Sequence, residues 1–94
     1  MRAQLLHRDR LDFDDSAVVE MVIWQVPLPV AGSRHRYKYR LYCGRGGRRI
    51  VGYDDERGKG DHRHRHGREE TYRFTTVERL LSDFLADVAE ERKS

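Results

Sequence analysis

The chain has 94 residues, of which 37% are hydrophobic and 37% charged, with a formal net charge of +3. That length predicts one domain over residues 1–94 with a thin core, and the single cysteine, Cys43, excludes an internal disulfide and fits a reducing compartment. No apolar run reaches the length of a membrane-spanning helix, and the opening residues carry no signal-peptide pattern, so a soluble cytoplasmic protein is expected.

Charge is segregated along the chain. Between Ala31 and Gly52 there is no acidic residue, yet Arg34, Arg36, Lys38, Arg40, Arg45, Arg48 and Arg49 all fall there. Glu78, Asp83, Asp87, Glu90 and Glu91 lie instead in the C-terminal segment. Such separation makes a field, and its positive side favours polyanions, nucleic acid first.

Taken in order, residues 3–13 alternate weakly and read as a first strand. Asp14, Asp15 and Ser16 follow as a turn. Residues 18–26, V-V-E-M-V-I-W-Q-V, are rich in β-branched side chains and too short for a good helix, so they predict a central strand. Pro27 and Pro29 end it, because proline lacks the N–H a ladder needs. Residues 27–33 are read as a connecting loop.

Residues 36–43 give the cleanest alternation. Tyr37, Tyr39, Leu41 and Cys43 share one face, and Arg36, Lys38, Arg40 and Tyr42 the other. A Gly44–Gly47 turn then leads into a partner strand over 48–54, completing a hairpin. Cys43 reads as a small buried hydrophobe. A plain solvated face mixes both signs of charge, whereas this one is a basic row with Tyr42 among it, which suits phosphate contacts and base stacking.

Residues 68–74 predict a fifth strand, with Tyr72 and Phe74 inward and Thr71 and Arg73 outward. Thr75 and Glu78 have capping-box spacing before a helix. Val77, Leu80, Leu81, Phe84, Leu85 and Val88 form one apolar stripe along it, wide enough to cover a sheet. Its last residues, Glu90 to Ser94, are expected to fray. The fold class is therefore α+β: a five-stranded antiparallel β-sheet with one C-terminal α-helix packed on one face.

Residues 54–66 concentrate the groups that carry charge and protons near neutral pH, and three readings compete for them. His62, His64 and His66 alternate, so in extended backbone they point to one side, with Arg63 and Arg65 opposite. As a metal site this run lacks the cysteine or acidic partners at longer spacing that zinc usually takes, so no metal is assigned. As a catalytic site on a phosphodiester, the histidines supply acid and base, and Lys59, Arg57 or Arg63 supplies the cation for the phosphorane. Gly58 and Gly60 would let backbone approach a phosphate closely. As a polar mobile loop, Gly-Lys-Gly-Asp is merely a hairpin tip. The residues alone leave catalysis and loop level.

R-Y-K-Y-R-L, a glycine-rich turn, R-I-V-G-Y-D-D-E-R-G-K-G-D-H-R-H, then E-E-T-Y-R-F and L-L-S-D-F resemble the TumE-type toxins of bacterial type II toxin–antitoxin modules. The resemblance covers nearly the whole chain, and its specific part runs from Tyr53 to His64. It implies a growth-inhibiting toxin held by a cognate helix-turn-helix antitoxin that also represses the operon, and an RNA-cleaving activity. Asp54, Lys59, His62 and His64 match the motif. Asp55 departs from the family pattern, which more often has asparagine there, and neither it nor His66 is given a role.

The resulting expectation is a toxin acting as a metal-independent RNA endonuclease of the messenger-RNA interferase kind, without a cofactor, inhibiting translation and growth. Asp54, Lys59, His62 and His64 form its catalytic set. Arg36, Lys38, Arg40, Arg48, Arg49, Arg57 and Arg63 hold RNA, with messenger RNA on the ribosome as one setting, and an acidic segment of the antitoxin masks the basic face. The alternative is a non-catalytic nucleic-acid- or partner-binding module using the basic hairpin face alone.

Overall fold

The computed structural model describes residues 2–93. Six strands precede one helix: β1 (Gln4–Asp12), β2 (Ala17–Gln25), β3 (Tyr37–Arg45), β4 (Arg48–Glu56), β5 (Gly60–Arg65), β6 (Arg68–Thr71) and α1 (Val77–Arg92). The strands form one antiparallel meander in sequence order, and α1 lies across one face against β4. The α+β class with a single C-terminal helix is as the sequence predicts. The sheet gains a strand, because the histidine run is itself β5.

The alternation of β2 and β3 explains which side the helix takes. Ala17, Val19, Met21 and Ile23 point to it from β2, and Tyr39, Leu41 and Cys43 from β3. Val51 and Tyr53 continue that row on β4, and Leu80, Phe84 and Val88 close it from above. Tyr53 stands edge-on to both Tyr72 and Phe84, at ring separations of 4.9 and 5.7 Å. Each fully buried large side chain from the helix contributes about 1.5–3 kcal/mol. Cys43 is fully buried here, and burial pushes its thiol up, so it acts as a core hydrophobe.

The extra strand depends on a tight return. Gly58 and Gly60 take φ of 87° and 76°, conformations that side chains avoid, so β4 turns over three residues into β5. The returning loop between β2 and β3 packs on this turn: the Gly58 N–H donates to the Ala31 carbonyl at 2.7 Å. A Cβ on Gly60 would lie 2.7 Å from the Gly32 carbonyl oxygen. The close backbone approach expected at Gly60 is therefore made by Gly32.

Several boundaries move. β3 runs through Gly44 and Arg45, leaving Gly46 and Gly47, both at positive φ, as the hairpin turn. β6 stops at Thr71, so Tyr72 and Phe74 reach the core from extended chain outside the ladder. The helix is capped by Thr76 rather than Thr75: the Arg79 N–H donates to Thr76 Oγ1 at 3.0 Å, which puts Arg79 where a capping box would need Glu78. Leu85 is 43% exposed, so the buried stripe is narrower than its apolar pattern. Helix extends to Arg92 through the end expected to fray; Ser94 lies outside the described residues.

Candidate nucleic-acid interface and acid–base pair

The face of the sheet away from α1 is organised in rows of directly opposed residues. One row runs Arg8, Val22, Arg40, Asp54, His62 and Thr71 from β1 to β6. The next runs Arg10, Glu20, Tyr42, Gly52, His64 and Glu69. Alternation thus delivers Asp54, His62 and His64 to the same open face as Lys38 and Arg40.

Glycine makes room on that face. The Tyr42 ring lies over Gly44, where a Cβ would collide with its phenol. Arg49 crosses Gly52 so closely that a Cβ there would lie 2.9 Å from its Cδ. Between them is a cleft of about 200 Å³, lined by Arg40, Tyr42, Arg49, Gly52 and Asp54 among others.

His62 is 6% exposed and sits between oxygen atoms. Its Nδ1 is 3.2 Å from the Gly60 carbonyl, which only accepts, so Nδ1 carries hydrogen. Its Nε2 is 2.7 Å from Asp54 Oδ1 and 3.5 Å from Glu69 Oε1. Asp54 Oδ1 is buried but has no aligned hydrogen bond, so the short Asp54 contact is an ion-pair geometry with the Nε2 axis directed elsewhere. With Nδ1 turned to the Gly60 carbonyl, Nε2 is left facing the two carboxylates.

His64 lies beside it, ring centroids 5.3 Å apart and nearly perpendicular. Arg49 Nη2 is 3.1 Å from His64 Nδ1, and a guanidinium only donates, so Nδ1 is an acceptor and the hydrogen of the neutral ring is on Nε2. Burial, and then the Arg49 charge, push the His64 imidazole below its ordinary value. The two histidines differ in environment: one is ringed by acceptors and the other faces a cation.

Lys59 is at the β4–β5 turn, half exposed, 3.4 Å from Glu56 and 3.8 Å from Glu69. Those partners, Glu56 first, raise its ammonium further above neutral pH. Glu69 touches both Lys59 and His62, and sequence reasoning missed it, because nothing local marks a β6 residue as a diagonal neighbour of β5.

The remaining expected nucleic-acid contacts are dispersed. Arg40 and Arg49 line the cleft, and Lys38 stands on the same face with its ammonium donating to the Asp55 carbonyl at 2.6 Å. Arg36 and Arg57 are exposed at the lower end of the sheet, and Arg48 pairs with Arg45 across the hairpin turn at the upper end. Arg63 is on the other face altogether. It donates to the Tyr53 hydroxyl at 3.2 Å and pairs with Glu70 and Asp87, beneath α1.

Two groups place three possible metal ligands within 4.8 Å of one another among the described residues: Asp54, His62 and His64, and His35, Asp55 and Asp61. The first has the donor types of a zinc site, yet the Arg49 guanidinium stands on His64 Nδ1. In the second, the Tyr37 N–H donates to His35 Nδ1, which leaves hydrogen on Nε2, and Nε2 donates to Asp61 Oδ2 at 2.5 Å. That nitrogen offers no lone pair to a metal.

An antiparallel sheet backed by one helix, with a histidine pair on its bare face, defines a small α+β protein. The chain belongs to the toxin TumE family, whose model matches residues 2–92. No curated protein and no solved structure matches it. A toxin of this kind implies a cognate antitoxin, and no helix among the described residues is long and apolar enough to cross a membrane.

Proposed function

We propose that this TumE-family toxin cleaves RNA in the cytoplasm by metal-independent acid–base chemistry, as part of a type II module with a helix-turn-helix antitoxin. The observation that carries the reading is the contrast between His62 and His64, adjacent on one face with opposite surroundings. Pairs of titratable groups driven apart by their environments are what acid–base catalysis requires.

In this mechanism a phosphodiester enters the cleft and draws Arg49 onto a phosphoryl oxygen. That frees His64 Nδ1, which takes the proton of the 2′-hydroxyl as it attacks phosphorus. His62, with Nε2 beside Asp54, gives a proton from Nε2 to the departing 5′ oxygen. Arg40 and Lys59 offset charge on the phosphorane. A second reading, binding without catalysis, draws on Lys59, whose ammonium is already paired with Glu56 and Glu69.

Inducible expression of wild type and His62→Ala, with total RNA read for new 5′ ends, separates the two. Growth arrest with new ends, both lost in the variant and with RNA affinity kept, is the expected result; losing one proton-transfer group costs about 10²–10⁴-fold in rate. Arrest without new ends would remove the nuclease and keep the toxin. Parallel loss of affinity and activity would remove His62 as a catalyst.

A further inference from the structure

The open face carries an apolar group with no evident structural partner layer. β2 buries Ala17, Val19, Met21 and Ile23 under the helix side, so Val22 and Trp24 face the other way, half-buried. α1 covers the opposite face, and no second layer among the described residues lies over this one. Trp24 is the single tryptophan of the chain. Val22, Trp24, Lys38, Tyr39, Arg40 and Asp54 line a cleft of about 410 Å³. A second, of about 370 Å³, joins Glu20, Val22, Arg40 and Tyr42. Arg40 also borders the cleft that reaches Asp54 and Arg49, so the three form one trough with Arg40 at its centre.

Arg40 differs from the cations that meet carboxylates. Arg63, Arg65, Arg79 and Lys59 all meet carboxylates, whereas the Arg40 guanidinium is exposed and makes no hydrogen bond or ion pair among the described residues. Lys38 stands directly opposite Trp24, and its anchored ammonium holds its stem along the trough.

We infer that Trp24, Lys38 and Arg40 form a nucleobase-and-phosphate subsite for single-stranded RNA, with one base stacked on the indole and its phosphate on Arg40. The inference rests on the RNA reading of the histidine pair and deepens it. Three strand spacings, about 14 Å, separate β2 from β5, so the subsite is a few nucleotides from the bond broken. Aromatic faces interleaved with cations are how proteins bind single strands without reading sequence, since every base has a π face. A duplex would not present its bases to a flat trough, so the preferred substrate is unpaired.

The test uses a labelled 2′-O-methyl RNA of about eight nucleotides, which the proposed chemistry cannot cleave, titrated at low salt. Tryptophan fluorescence and the anisotropy of the label are followed together. Quenching of Trp24 with the same midpoint as the anisotropy is expected. Trp24→Leu should weaken binding about tenfold, and Trp24→Phe should recover most of it. Binding without quenching, and without loss in Trp24→Leu, would overturn the subsite and leave RNA recognition standing. No binding of the oligonucleotide would overturn both. Loss of cognate antitoxin binding in Trp24→Leu with RNA affinity unchanged would assign the surface to the partner and overturn the inference. Should Trp24→Leu fail to fold, wild-type quenching decides by itself.

Discussion

The two faces of this sheet use the same kinds of residue in opposite ways. On the helix side of the sheet, polar groups satisfy one another: Asp61 accepts from Ser33, His35 and Tyr39, and Asp87 from Tyr53 and Arg65, with Arg63 3.6 Å from it. On the open face, Arg40 has no such partner among the described residues, and the His62 and His64 rings stand nearly perpendicular to each other, beside Asp54 and Arg49. Asp54 and Asp55 are neighbours in the chain, yet one stands beside His62 and the other is fully buried with Oδ2 unpartnered. Arg63, one residue from His62, is held under the helix. Residue type therefore does not tell which charges are satisfied internally; position in the fold does.

The largest way to break that contrast is Asp87→Ala. It removes the acceptor of the Tyr53 hydroxyl and of Arg65, and leaves Arg63 without one carboxylate. A loss of about 2–3 kcal/mol in urea unfolding is expected, with growth arrest unchanged where the protein stays folded. Arrest abolished with stability unmoved would show that the helix side takes part in the chemistry.

Asp55→Asn sharpens the comparison by removing a charge where it is least welcome. Burial pushes the Asp55 carboxyl up to about 6, against the stabilising hydrogen bond from the Tyr39 N–H. A carboxyl whose folded value is raised contributes stability that is complete below about pH 4 and is lost as pH rises through about 6. The asparagine variant, which keeps an acceptor for Tyr39, should gain about 2 kcal/mol at pH 8 and nothing at pH 4. Equal stability of the two proteins at pH 8 would mean that Asp55 is not ionised against its surroundings.

The smallest expected effect is that of Arg49→Ala on the titration of His64. Loss of the neighbouring cation moves the His64 value upward, although burial, the larger cause of its depression, remains. NMR titration of the ring reads this directly. A downward movement would show that Arg49 shields His64 rather than charging its surroundings. In the ribonuclease reading, the acid limb of the pH–rate profile moves in the same direction as the titration.

Much of this was legible from one dimension. The run Y-K-Y-R-L-Y-C separates an aromatic core row from a cationic row, and both rows stand where alternation puts them. The helix stripe identifies Leu80, Phe84 and Val88 correctly, while Leu85 shows that an apolar residue at the edge of a stripe need not find cover on a sheet this narrow. The period-two spacing of His62 and His64 put them on one side, but the choice of strand over loop rested on the Gly58–Gly60 turn and its packing against Gly32.

By itself the sequence determined the family, the α+β class, the buried row and the shared side of His62 and His64, because these follow from local periodicity and a near-continuous motif, whereas His66 leaves β5 at a positive φ and meets Glu91 of the helix instead. Only the tertiary structure decided which charges remain free. Glu69 reaches His62 diagonally from β6, Arg63 meets Asp87 from a helix more than twenty residues on, and Asp61 closes on His35 across a loop. Ion pairs form between side chains brought within a few ångströms, and sequence separation carries almost no information about that distance.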